Sequence, residues 1–169
     1  ISNALTPMVA TAREIKKEHP DAHVVFIGPC ASKKLEASRR TVRSDVDFVI
    51  TFEELTGMFE AKGILLEEIS AMDEMKDATA AGRGYGVAGG VASAIEECIK
   101  KYYPGTEVKI EHAESLAECK KMLLLAKAGK KNGCLIEGMA CPGGCIAGAG
   151  TNIALPQAIK EVNKFKDAA

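Results

Sequence analysis

Asp45-Val46-Asp47-Phe48-Val49-Ile50-Thr51-Phe52-Glu53-Glu54 is the stretch whose reading decides the fold class. Phe48 to Ile50 is a short apolar run with β-branched residues, the composition of a buried strand. Thr51 and Glu54 come next in capping-box spacing, which predicts a helix from Phe52 to about Ala61. Strand leads straight into helix, and the same alternation recurs on both sides.

Upstream, His23 to Ile27 (HVVFI) forms a second buried-strand run that stops at Gly28-Pro29. Before it, Thr6 at an N-cap and Pro7 at the first helical position introduce Leu5, Met8, Val9, Ala12 and Ile15 at helical spacing. Downstream, Glu67 to Ala81 is acidic and Met-containing without a clear period, and Gly82, Gly84, Gly86, Gly89 and Gly90 punctuate the chain beyond it. Val91 to Tyr103 has the pattern of a helix ending before Pro104-Gly105, and Glu107 to Ile110 that of a third strand. Ser115 and Glu118 repeat the capping-box signal and open a helix that should stop near Gly129. Cys134 to Glu137 is a fourth short strand ending at Gly138, and Pro156 opens a terminal helix. The expected fold is α/β, with about four mostly parallel strands flanked by helices on both faces and right-handed crossovers. No repeat, low-complexity segment or flexible linker interrupts the chain, so residues 1–169 are expected to form a single α/β unit.

At 169 residues and 47% hydrophobic content, the chain can bury a core without disulfides. Its formal charge of -1, from 22 basic and 23 acidic residues, gives no attraction for a phosphate backbone or an anionic membrane, so no nucleic-acid partner is expected. No apolar run approaches the roughly 20 residues of a spanning helix, and no signal-peptide pattern opens the chain. A soluble cytoplasmic protein is expected. The chain starts at Ile1 rather than Met and enters a helical pattern almost at once, which suggests a fragment of something longer.

Six cysteines in such a chain are more often buried thiols, metal ligands or redox groups than a disulfide framework. Cys30 lies three residues beyond the first strand, and Cys141 lies four beyond the fourth, followed by Cys145. Loops of that kind share the carboxyl edge of a parallel sheet, so three thiols from distant sequence can converge there. Thiolates are soft ligands for iron-sulfur clusters or zinc, and a fourth ligand is normally needed. Cys98 and Cys119 fall inside predicted helices and Cys134 inside a predicted strand, where a thiol usually acts as a small buried apolar group. His19, His23 and His112 show no metal-site spacing. Gly84 to Gly90 is glycine-rich and precedes a helix, but it does not fit the dinucleotide fingerprint; helix packing or a tight turn is the expected use.

Gly28-Pro29-Cys30-Ala31-Ser32-Lys33-Lys34-Leu35-Glu36 and Glu137-Gly138-Met139-Ala140-Cys141-Pro142-Gly143-Gly144-Cys145 resemble two of the three signature motifs of the iron-only (FeFe) hydrogenases. Asp45 to Thr51 and Gly86 to Val91 also resemble family sequence, so the likeness covers nearly the whole chain. The resemblance implies one lobe of the hydrogenase fold and a cluster in which a 4Fe-4S cubane is joined through a cysteine sulfur to a two-iron subcluster bearing carbon monoxide and cyanide. It implies that Cys30 and Cys141 ligate the cubane, and that Cys145 ligates it and bridges to the two irons. Lys33 would hydrogen-bond a cyanide, Met139 would pack beside the two-iron unit and Glu36 would support the site from behind. Each has a plainer use: Lys33 in a solvated basic segment with Lys34, Arg39 and Arg40, Met139 as core filler, Glu36 as a surface carboxylate, Gly143 and Gly144 as a turn.

The family's third motif, a Cys-Pro segment supplying the fourth cubane ligand and a proton-relay cysteine, is absent, so the chain alone is expected to be inactive and without a complete cluster. Within the motifs, Gly28 stands where catalytic members usually carry methionine, and Gly148-Ala149-Gly150-Thr151-Asn152 replaces Gly-Gly-Gly-Gln-Pro. These departures favour a slow or sensory hydrogenase. A hydrogenase-like iron-sulfur protein of cluster assembly is the other reading within the superfamily. The expected partners are a ferredoxin-like electron carrier, or ferredoxin-like domains of the same chain, and the upstream half of the catalytic domain.

Overall fold

The computed structural model describes residues 3–70 and 77–169. Of the unperiodic stretch Glu67 to Ala81, residues 71–76 lie outside those described. The described chain divides into two compact units. One holds the residues up to Ser70 together with Ala149–Asn152; the other runs to Gly148 and resumes at Ile153–Ala169.

The first unit contains α1 (Pro7–Glu18), β1 (Val25–Ile27), α2 (Ser32–Ser38), β2 (Phe48–Ile50), α3 (Phe52–Ala61) and a 3-10 turn at Leu66–Glu68. Strands β1 and β2 pair in parallel, Val25 opposite Phe48 and Ile27 opposite Ile50. Their alignment is fixed from the side by Asp47, which accepts from Val24 N at 2.7 Å and pairs with Lys16 of α1 at 2.9 Å. Met8, Val9 and Ala12 form the buried stripe of α1, at the spacing read from sequence. Arg13, on the same helix, donates to the carbonyls of Val42 and Arg43 and so holds the loop that leads into β2. Helix α3 begins with the expected capping box: Thr51 Oγ1 accepts from Glu54 N, and Glu54 Oε2 accepts from Thr51 N at 2.8 Å. Helix α2 is absent from the sequence-based expectation, which placed only a basic segment there.

The second unit contains α4 (Ala80–Arg83), α5 (Gly90–Tyr102), β3 (Lys109–Glu114), α6 (Leu116–Lys127), β4 (Cys134–Met139), a 3-10 turn at Cys145–Ala147 and α7 (Leu155–Asp167). Strands β3 and β4 are parallel over their whole length, from Lys109 opposite Cys134 to Glu114 opposite Met139. Ala92, Ala113, Met139 and Ala158 are buried apolar residues among those described in it. Arg83 of α4 stacks 4.5 Å from the Phe165 ring centroid of α7 and donates to the Phe165 carbonyl, a cation-π contact closed by a hydrogen bond.

All four expected strands are present among the described residues and pair in parallel, β1 with β2 in the first unit and β3 with β4 in the second. Each pair is closed by its own helix, α2 between β1 and β2 and α6 between β3 and β4. With three residues apiece, β1 and β2 offer a short ladder, and Val25, Ile27 and Phe48 stay exposed on one of its faces.

Candidate metal centre

In the second unit the cysteine loop leaves the end of β4. Gly144 N donates to Cys141 O at 3.0 Å. With Pro142 in the second position and Gly143 at φ +90° in the third, this is the arrangement of a type II turn. Gly144 has φ +92°, and a Cβ there would lie 2.5 Å from Ala88 N and 2.7 Å from Gly86 O. Backbone meets backbone at that point, so only glycine fits. Ala88 N donates to Gly143 O at 3.1 Å and Ile146 N to Gly86 O at 3.2 Å, an antiparallel bridge of Val87 with Gly144. The Gly84 to Gly90 stretch thus serves as a backbone cradle for the cysteine turn, where the expected use was helix packing or a tight turn. Cys145 continues into its 3-10 turn, and Cys141 is half-buried while Cys145 is exposed.

Two carboxylates grip this arrangement. Glu137, whose side chain is 6% exposed, accepts from Gly89 N at 2.6 Å and from Ala92 N at 3.0 Å, and His112 Nδ1 lies 3.3 Å from its Oε2. Gly89, the N-cap of α5, has no side chain of its own, so a carboxylate from β4 satisfies the unpaired amides and the positive end of the helix. Glu114, at the end of β3, accepts from Gly143 N at 2.6 Å. Tyr85 lies in the cradle; burial pushes its phenol above the ordinary value of 10.0, and the negative charges of Cys145 and Glu137 add to that. Met139 is buried, and its carbonyl accepts from Ser115 N at 2.9 Å.

In the first unit, β1 ends at Ile27, the amide of the next residue, Gly28, donates to Ile50 O at 3.1 Å, and Cys30 follows Pro29. Gly150 N donates to Pro29 O at 2.9 Å, and a Cβ on Gly150 would lie 2.4 Å from Thr51 Cβ, so Ala149–Asn152 packs directly on the loop that carries Cys30. A Cβ on Gly28 would meet the Phe26 ring at 2.9 Å. Phe26 therefore occupies the space into which a longer side chain at this position would grow. Cys30 is half-buried and its carbonyl accepts from Lys33 N at 3.2 Å. The Lys33 ammonium is 2.6 Å from Glu36 Oε2, and Thr6 Oγ1 donates to the other carboxylate oxygen. Burial alone would raise the Glu36 carboxyl, but the hydrogen bonds from Lys33 and Thr6 and the charges of Lys33 and Arg39 bring it below the ordinary 4.5. Lys34 points elsewhere, to Val49 O and to both oxygens of Glu54. The basic segment is thus divided, one lysine serving the Cys30 loop and the other the β2–α3 junction.

Cys141, Cys145 and Met139 share the second unit; Cys30, Lys33 and Glu36 share the first. Among the described residues no group of three or more His, Cys, Asp and Glu is gathered to hold a metal ion, and none of the six cysteines is in a disulfide. The donor chemistry suits iron-sulfur ligation, because the motif residues are thiols on turns fixed by their backbone. A cubane takes four thiolates, more than the motif cysteines of either unit supply by themselves. Cys119 is half-buried with its Sγ 3.6 Å from Ala113 O, as expected for a packed thiol. Cys98 is exposed, against the expectation of burial: six residues beyond buried Ala92, it lies about 240° round α5 from the inward stripe. Glu114 and Glu137 escaped notice as site residues because their role lies in binding amides distant in sequence. The one local clue, Glu137 opening the second motif, gave no hint of what it binds.

The family described as iron only hydrogenase large subunit, C-terminal domain, matches residues 1–149, and the chain belongs to that family. It is 29% identical over 172 aligned residues to the periplasmic Fe hydrogenase large subunit of Nitratidesulfovibrio vulgaris, covering 82% of this chain and 41% of that protein. It is 28% identical to iron hydrogenase 1 of Clostridium pasteurianum, with 82% and 30% covered. Among solved structures, an FeFe-hydrogenase of Chlamydomonas reinhardtii superposes with a TM-score of 0.59 at 21% identity, over 94% of this chain and 57% of that one. The chain thus spans less than two thirds of the proteins it resembles.

Proposed function

We propose that this chain is part of an iron-only hydrogenase that interconverts two protons and two electrons with one molecule of hydrogen. The observation that carries this reading is the Met139-Ala140-Cys141-Pro142-Gly143-Gly144-Cys145 turn, in a chain of this family, held to its shape by backbone contacts that exclude any residue but glycine at Gly144. Cys30, Cys141 and Cys145 are the thiols that would hold the 4Fe-4S cubane, with Cys145 also bridging to the two-iron subcluster. A fourth cubane ligand is not among the motif cysteines of this sequence. When bound, the cluster supplies the redox chemistry of hydrogen turnover. Lys33, held by Glu36 at 2.6 Å, would donate to an anionic ligand of the irons, and Met139 would wall off solvent beside them. A ferredoxin-like carrier or domain is the proposed electron partner, and the cytoplasm the proposed location; among the described residues no helix is long and apolar enough to cross a membrane.

Infrared spectroscopy of the intact, matured protein tests the reading. Carbon monoxide and cyanide bands are expected; a protein with iron and sulfide but none of those bands would be an iron-sulfur relative of cluster assembly instead. This chain alone is expected to evolve no hydrogen from reduced viologen, and substantial turnover would refute the incomplete ligand set. Gly28 against Phe26 favours a slow, sensory type of hydrogenase, because the packing beside the site differs from that of a methionine-bearing member. Fast turnover by the intact protein would reject that assignment.

A further inference from the structure

Glu114 is the residue at which the strands of the second unit and the cysteine turn meet. It ends β3 opposite Met139, the last residue of β4, and its backbone is fixed on both sides. Glu114 N donates to Glu118 Oε2 at 2.9 Å, and the next residue, Ser115, donates from N to Met139 O at 2.9 Å. Ser115 has φ +85°, a conformation that a non-glycine residue adopts only when its surroundings hold it there. That sharp reversal leaves the half-buried Glu114 side chain on the cysteine turn, with Oε2 2.6 Å from Gly143 N, a length typical of a charge-assisted hydrogen bond. Gly143 lies midway between Cys141 and Cys145, and its carbonyl is held from the other side by Ala88 N at 3.1 Å. Its two peptide groups are therefore anchored to different parts of the unit.

We propose that Glu114 is a positioning residue for the Cys141 and Cys145 pair: its carboxylate binds the Gly143 amide and holds the turn in the shape that presents both thiols to one iron-sulfur cluster. The proposal rests on the reading of Cys141 and Cys145 as cluster ligands. It concerns a side chain outside both cysteine motifs, brought to the turn by the parallel register of β3 on β4.

Two measurements test it. In this chain, hydrogen exchange at the Gly143 amide is expected to quicken roughly tenfold in Glu114→Ala, as for loss of one hydrogen bond, and to return toward the parent rate in Glu114→Gln, which keeps an acceptor oxygen. Glu114→Asp keeps the charge but withdraws the oxygen by one methylene, so it reports the same loss should Glu114→Ala fail to fold. In the intact protein, reconstituted anaerobically with ferrous iron and sulfide, iron bound per chain is expected to fall in Glu114→Ala and Glu114→Asp and to recover in Glu114→Gln. Equal exchange in all four proteins would overturn the contact. Faster exchange with unchanged iron content would overturn the positioning role. An unsubstituted protein that takes up no iron would remove the ligand reading itself, and the proposal with it.

Discussion

Gly144 and Glu137 illustrate two ways in which single residues shape the cysteine turn. At Gly144, φ +92° and the approach of Ala88 N to 2.5 Å from a would-be Cβ act together. Gly144→Ala is therefore expected to lose at least about 2 kcal/mol, from a backbone conformation essentially confined to glycine and a clash with atoms that cannot rotate away. Urea unfolding monitored by circular dichroism measures that loss. At Glu137 the carboxylate accepts from two amides at the start of α5, and its removal leaves them without the partner that now satisfies them. Glu137→Ala is expected to destabilise by about 2–3 kcal/mol and Glu137→Gln by less, since the amide oxygen still serves one donor. Equal unfolding midpoints for Glu137→Ala and the parent would contradict the capping role. The glycine pair was legible as a turn from sequence, because proline and glycine restrict the backbone locally. What forbids a side chain at Gly144 is a loop that precedes it by more than fifty residues, and no local pattern reports that.

Helix α3 is the element whose chemistry is most fully written in adjacent residues. Thr51 and Glu54 exchange hydrogen bonds across one turn, and Lys34 lies 2.7 Å from Glu54 Oε2. The hydrogen bond from Lys34, followed by that from Thr51 N, lowers the Glu54 carboxyl from the ordinary 4.5 to about 2. Because its folded value is depressed, Glu54 contributes stability above pH 4.5 and loses that contribution as pH falls from 4.5 towards 2. The acid-side fall in unfolding midpoint over that range is expected to be shallower in Glu54→Gln than in the parent chain, as read by thermal melts in low salt. At the second capping box the outcome is shifted by one residue: Ser115 caps Glu118 N, but Glu118 Oε2 reaches Glu114 N rather than Ser115 N. The spacing predicted the helix start, and the positive φ of Ser115 redirected the reciprocal bond. The β1–β2 pair shows the opposite balance. Its strands are recognisable from composition, yet Val25, Ile27 and Phe48 remain exposed on one face. A hydrophobic dye is expected to bind the folded chain, and Phe48→Thr to reduce that binding while keeping a strand-compatible residue.

Over the whole molecule, the parts legible in sequence are those set by neighbours along the chain. Helices α1, α3, α5, α6 and α7 and the short parallel strands stem from period, capping residues and glycine or proline stops. The starts of α1, α3 and α7 are marked by Thr6-Pro7, Thr51 with Glu54, and Pro156. The short helix α2 escaped because Lys33 and Lys34 read as a solvated run, while in the structure their partners are Glu36, Glu54 and Val49 O. Helix α4, a single turn, begins inside the stretch that shows no period. Of the proposed site, Cys30, Cys141, Cys145, Lys33 and Met139 could be named from sequence because their motifs are contiguous and their glycines constrain the backbone locally. Tertiary structure alone decided that β1 pairs with β2 and β3 with β4, that Gly84 to Gly90 cradles the cysteine turn, and that Glu114 and Glu137 hold it. The physical reason is one of range: torsional preference and hydrophobic period act over a few residues, whereas a hydrogen bond or a forbidden Cβ depends on which distant backbone the fold brings within 3 Å.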